Sequence, residues 1–189
     1  MERKNIPLNT QITRIMKHIL PTSSTRYALN SVYIDIERKE IAVTNGRELL
    51  VLSECTELKN VSLPNVADMT TGLYQLNGCV LCPTESSKPF PTYHDNILSE
   101  SCRVFDTCKG IQSGIIQLMV TKQIGIDVFC MDKSIRALQA ISPRWTFYYT
   151  TSLPTEKIPY TQYTIMAQTE ALSYKIQHIY RGYVVEEHK

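Results

Sequence analysis

Three β-rich runs separated by only three residues each constrain the fold most: Val32-Tyr33-Ile34-Asp35-Ile36, Glu40-Ile41-Ala42-Val43-Thr44 and Glu48-Leu49-Leu50-Val51-Leu52. The connections are Glu37-Arg38-Lys39 and Asn45-Gly46-Arg47. Links this short leave no room for a crossover helix, so the three runs must form an antiparallel meander. Asn-Gly is the strongest short-range hairpin signal, because both residues tolerate positive φ.

A helix precedes the meander. Ile12, Ile15, Met16, Ile19 and Leu20 recur at helical spacing behind Asn9 or Thr10, either of which can cap, and Pro21 ends the helix. Its outer face carries Gln11, Arg14, Lys17 and His18. Residues 56–112 read as an irregular excursion, rich in proline and cysteine, with short strands such as Gly72–Leu76. Ile115–Val120 and Ile124–Phe129 then read as strands. A second helix follows from Asp132 as N-cap, with Ile135, Leu138 and Ile141 inward and Lys133, Arg136 and Gln139 outward. Trp145–Thr150 and Tyr160–Met166 read as further strands, and Leu172–Val185 as one more strand or a partner-binding arm. The expectation is α+β: two amphipathic helices packed on antiparallel sheets, with a Cys/Pro-rich insertion. One domain spans 1–168 and a C-terminal strand or arm spans 169–189. The two halves are alike in architecture, not in residue identity.

Composition narrows the function classes. The chain has 189 residues, with 20 Lys plus Arg against 18 Asp plus Glu, a net charge of +2. A near-balanced chain cannot bind nucleic acid through bulk charge, so any such contact must come from locally arranged cations. No apolar run approaches the roughly 18 residues of a membrane span, and no secretory signal is visible, so a cytoplasmic location is expected. In that setting the six cysteines read as reduced thiols. Cys79 and Cys82 form a CxxC pair, and Cys102 and Cys108 follow. Together they could hold a structural zinc, with His94 as a substitute ligand. The alternative is small buried side chains and exposed loop thiols. A redox CxxC is disfavoured, since no βαβ context follows it. No P-loop, GxSxG, HExxH or GxGxxG is present, so no catalytic residues are assigned.

The segment Thr25-Arg26-Tyr27-Ala28-Leu29-Asn30-Ser31-Val32, leading to Ala42-Val43-Thr44-Asn45-Gly46-Arg47-Glu48-Leu49-Leu50-Val51, resembles the bacterial DNA sliding clamp, the beta subunit of the replicative polymerase. There T-R-x-x-L-N-G-V precedes A-T-D-G-H-R-L-A. Thr44, Gly46 and Leu49 match; Asn45, Arg47 and Glu48 depart. Phe90-Pro91-Thr92-Tyr93 is similar to the family's F-P-D-Y, and Tyr163-Thr164-Ile165-Met166 to its closing strand, with Ala167 and Gln168 in place of Pro and Met.

The resemblance implies a DNA-clamp-like domain whose helices meet the backbone of double-stranded DNA without reading bases. The candidates are Arg14, Lys17, Lys133 and Arg136, against the commoner case of a solvated helix face. It also implies a groove for short peptides of replication or repair proteins, at Thr44, Gly46, Leu49 and Met166. The last two read equally as core. A family ring contains six such domains, so a one-domain chain is expected to oligomerise. The function expected is a non-catalytic processivity or scaffold factor for DNA replication. The alternatives are a clamp-fold protein-interaction module that does not encircle DNA, and a thiol- or metal-dependent enzyme.

Overall fold

A computed structural model describes residues 5–22, 27–54, 70–125, 128–171 and 174–184. Thr25, Arg26, Cys55 and the terminal Glu186-Glu187 lie outside them. The elements in order are β1 (Ile6–Pro7), α1 (Thr10–Ile19), β2 (Val32–Asp35), β3 (Glu40–Thr44), β4 (Glu48–Glu54), β5 (Gly72–Asn77) and β6 (Val80–Pro83). After them come β7 (Arg103–Thr107), α2 (Ile111–Lys122), α3 (Val128–Gln139), β8 (Trp145–Ser152), β9 (Thr161–Ala171) and β10 (Tyr174–Val184). The strands join into one ten-stranded sheet, β1-β6-β5-β2-β3-β4-β10-β9-β8-β7, with every pairing antiparallel.

This order contains the same plan twice. β1-α1-β2-β3-β4 and β7-α2-α3-β8-β9-β10 are each a strand, a helical segment and a three-strand meander. They join through their last strands, β4 against β10, from Tyr174 opposite Glu54 to Tyr180 opposite Glu48. In the first half the β5–β6 hairpin is wedged between β1 and β2.

The meander and first helix form as the local pattern dictates. Asn9 caps α1 by accepting from the Gln11 N–H at 2.8 Å, and Leu20 turns extended ahead of Pro21. Ile12, Ile15, Met16 and Ile19 are buried beneath it. In the strands, alternation is apolar on both faces. Ile41, Val43, Leu50 and Leu52 join the core under the helices, while Ala42, Leu49 and Val51 join a second core on the opposite face. That second face is covered by residues 84–102, which carry the chain from β6 across the sheet to β7, laying Phe90, Tyr93, Ile97, Leu98 and Cys102 against it.

Several expectations are corrected. There is one sheet, and it carries three α-helices among the described residues, not two. Ile115–Val120 belongs to α2, where Ile111, Gly114, Ile115 and Leu118 are buried at helical spacing. Gly114 lies directly under the Phe147 ring, in space a β-carbon would need. The segment expected as a strand at Ile124–Phe129 leads into α3, so Asp132 is interior to that helix and pairs with Arg136 at 2.8 Å instead of capping. The C-terminal segment is no free arm: β10 lies in the middle of the sheet, bonded on both sides. The segment similar to the family's closing strand is β9, and β10 follows it.

Candidate functional site

Two surfaces bring sequence-selected residues together, one on each side of the sheet. The first is the outer face of the helix layer. α1 packs beside α3, and α3 beside α2. Arg14, Lys17 and His18 are exposed on α1, and Lys133 and Arg136 on α3. Arg14 and Lys133 both lie close enough to His18 to act on it electrostatically. Partial burial first, then these two cations, lowers His18 from its ordinary value of 6.5. The four residues proposed from sequence therefore fall on adjacent helices of one layer. Arg136 is held by Asp132, an exposed i,i+4 pair worth only about 0.3–0.5 kcal/mol and thus readily exchanged. Among the described residues no carboxylate pairs with Arg14, Lys17 or Lys133.

The second surface is a groove of about 250 Å³ on the other side of the sheet, built around the β3–β4 turn. Thr44 fixes the turn twice, donating to the Glu48 carbonyl at 2.7 Å and accepting from the Gly46 N–H at 3.0 Å. Asn45 Oδ1 accepts from the N–H groups of Arg47 and Glu48, at 2.9 and 2.8 Å. Gly46 has φ +91°, which side chains rarely adopt, and this explains the Asn-Gly pair. The other walls come from Tyr27 and Leu29, from residues 91–93 and Asn96 of the covering segment, and from Ile179 and Arg181 of β10. Leu49 and Ile179 face each other in the ladder and give an apolar floor; Arg47 and Arg181 stand exposed at the mouth.

Three of the four groove residues chosen from sequence, Thr44, Gly46 and Leu49, line this groove. Met166 does not. It is buried at 1 % exposure beside Ile179, its partner in β9–β10 pairing, on the same face of the sheet. Arg47, Tyr93, Ile179 and Arg181 were not selected. Phe90-Pro91-Thr92-Tyr93 was a signal for one wall, but the contribution of β10 depends on a pairing distant in sequence.

Glu48 ties the two surfaces together. Its carboxylate is on the helix side of β4 at 2 % exposure, accepting from the Ser134 hydroxyl of α3 and from Asn45 Nδ2 at 3.1 Å. The residues flanking Glu48 thus line the groove, and Ser134 neighbours Lys133 on the basic helix.

The thiol tetrahedron is not assembled. Cys79 and Cys82 belong to the β5–β6 hairpin, Cys102 packs against the covered face of the sheet, and Cys108 follows β7 at the far edge. The intervening chain crosses the sheet instead of folding back on the hairpin. Among the described residues no three His, Cys, Asp or Glu side chains converge as for a metal. His94 instead packs on Tyr93, with Nδ1 3.9 Å from Glu40. No described helix is long and apolar enough to cross a membrane. No protein-family model, curated protein or solved structure matches the chain, so both surfaces are read from their geometry.

Proposed function

We infer that the chain is a non-catalytic, sliding-clamp-like scaffold that rests its helix layer on the backbone of double-stranded DNA and takes short peptides of replication or repair proteins in the groove opposite. The observation that carries this reading is the convergence of Arg14, Lys17 and Lys133 on two adjacent helices, with no carboxylate paired to them among the described residues. Cations held on a rigid surface suit a repeating phosphate lattice, and they specify no base. The doubled strand–helix–meander plan, with helices on one side only, agrees with the architecture of a clamp domain. Because one such domain is a small part of a ring, the working form is an oligomer. The groove supports the second reading, a protein-interaction module that does not encircle DNA.

Anisotropy of a labelled mixed-sequence duplex at low salt tests the first reading. The wild type should bind, with affinity falling steeply as salt rises. Arg14→Gln, Lys17→Gln and Lys133→Gln combined should flatten the plot of log affinity against log salt by about 2–3, near 0.9 for each phosphate that is no longer neutralised. An unchanged slope, or a wild type that does not bind, overturns DNA association. Light-scattering mass then separates an oligomer from a monomer.

A further inference from the structure

His18 gives the helix layer an imidazole, a group that can change its charge near neutral pH. His18 follows Arg14 by four residues, so both occupy the same exposed strip of α1. Lys133 reaches the same place from α3, and both cations act on His18. Lys17 precedes it in the chain. Asp132, the nearest exposed carboxylate on α3, is engaged by Arg136; Glu48 of the strand beneath is engaged by Ser134 and Asn45. Among the described residues no carboxylate is among the groups acting on His18.

We propose that His18 is a further phosphate-contacting residue of this surface, taking up a proton from solvent as the DNA backbone arrives. The proposal rests on the DNA reading above. In the free protein a third positive charge beside Arg14 and Lys133 is disfavoured, so the imidazole holds a proton less readily than an ordinary histidine. Phosphates seated on Arg14 and Lys133 reverse the sign of the local field. The imidazolium then gains a charge-assisted hydrogen bond to a phosphate oxygen. Only a proton is exchanged, and no bond of the DNA backbone changes. A histidine remote from the DNA would show no linkage to it.

The test is duplex binding as a function of salt at pH about 5.5 and about 8, on either side of the ordinary histidine range. For wild type the log–log salt slope should be steeper by up to about 0.9 at the acid pH, with affinity up to about tenfold higher at fixed low salt. His18→Gln should bind at both pH values with one slope. His18→Lys should bind at both with the steeper slope, because its charge is permanent. If His18→Gln keeps the wild-type pH dependence, the proposal is overturned while the DNA reading stands. If wild type binds with no pH dependence, the proposal falls in the same way. If wild type fails to bind duplex at either pH, the DNA reading and this proposal fall together.

Discussion

Leu50 and Leu49 are neighbours on β4, yet they serve opposite faces of the sheet. Leu50 is fully buried in the core beneath α1, α2 and α3, whereas Leu49 joins the smaller core under residues 84–102 and floors the groove. Helices satisfy their own backbone groups, so they can seal a sheet with apolar side chains alone. An irregular segment cannot, and must find polar partners as well. Tyr93 accordingly donates to Glu40 at 2.8 Å and Tyr148 to Glu100 at 3.2 Å, while an aromatic group of Tyr33, Phe90 and Tyr93 fills the space between. The helix side is a closed core bearing a charged outer surface; the opposite side is a looser cover with a groove at its edge.

The largest expected effect separates the two leucines. Leu50→Ala should cost about 2–5 kcal/mol, since the enclosed core cannot collapse around the missing atoms. Leu49→Ala should cost less, close to the transfer value alone, about 2 kcal/mol, because water and the groove walls can close on the gap. Urea unfolding followed by Trp145, the single tryptophan and 2 % exposed, measures both. Equal losses would erase the distinction between the faces.

How far each face could be read from sequence follows the same division. α1 and the three-strand meander obey local periods of 3.6 and 2, and their boundaries were legible from Asn9, Pro21 and Asn45-Gly46. α2 was not. Its buried Ile111, Ile115 and Leu118 share the helix with exposed Ile116 and Val120, so it is apolar all round and mimics a buried strand. β10 alternates weakly and owes its central place to pairing with β4, some 120 residues away in the chain. The groove follows suit: its turn was visible in Thr44 and Gly46, whereas Ile179 and Arg181 arrive through that long-range pairing. The basic helix face was legible because amphipathic spacing placed Arg14, Lys17, Lys133 and Arg136 outward, but only the packing of α1 on α3 makes them one surface.

An intermediate effect tests whether polar anchors hold the looser cover. Tyr93→Phe removes the donor from Glu40, a half-buried carboxylate, and should cost about 1.5–3 kcal/mol at neutral pH, with groove-side amides exchanging faster and helix-core amides unaffected apart from the global shift. Burial first, then the bond and charge of Glu40, raises the Tyr93 phenol well above its ordinary 10.0. The fold therefore favours the protonated phenol. Its contribution is complete below about pH 10 and is lost as pH rises above that value, while the unfolded phenol ionises. The stability gap between wild type and Tyr93→Phe should narrow above pH 10. A gap that is constant into the alkaline range would remove Tyr93 as the anchor.

The smallest effect has the opposite sign and lies on the helix side. Thr13 of α1 is 2 % exposed, and its hydroxyl has no hydrogen-bond partner among the described residues. In a face sealed by apolar contact, such a group is a cost with no structural return. Thr13→Val keeps the branched shape and replaces the hydroxyl by a methyl, so it should stabilise by about 1 kcal/mol, less whatever helix propensity takes back. The same exchange at Thr44, whose hydroxyl both donates and accepts within the β3–β4 turn, should destabilise and loosen the groove. Urea midpoints of the two variants moving in opposite directions would support a helix side that buries polar groups only in pairs, as Glu48 with Ser134, and a groove side whose turn is built from them. If Thr13→Val loses stability, the hydroxyl has a partner in solution, and the helix-side core is less dry than its packing implies.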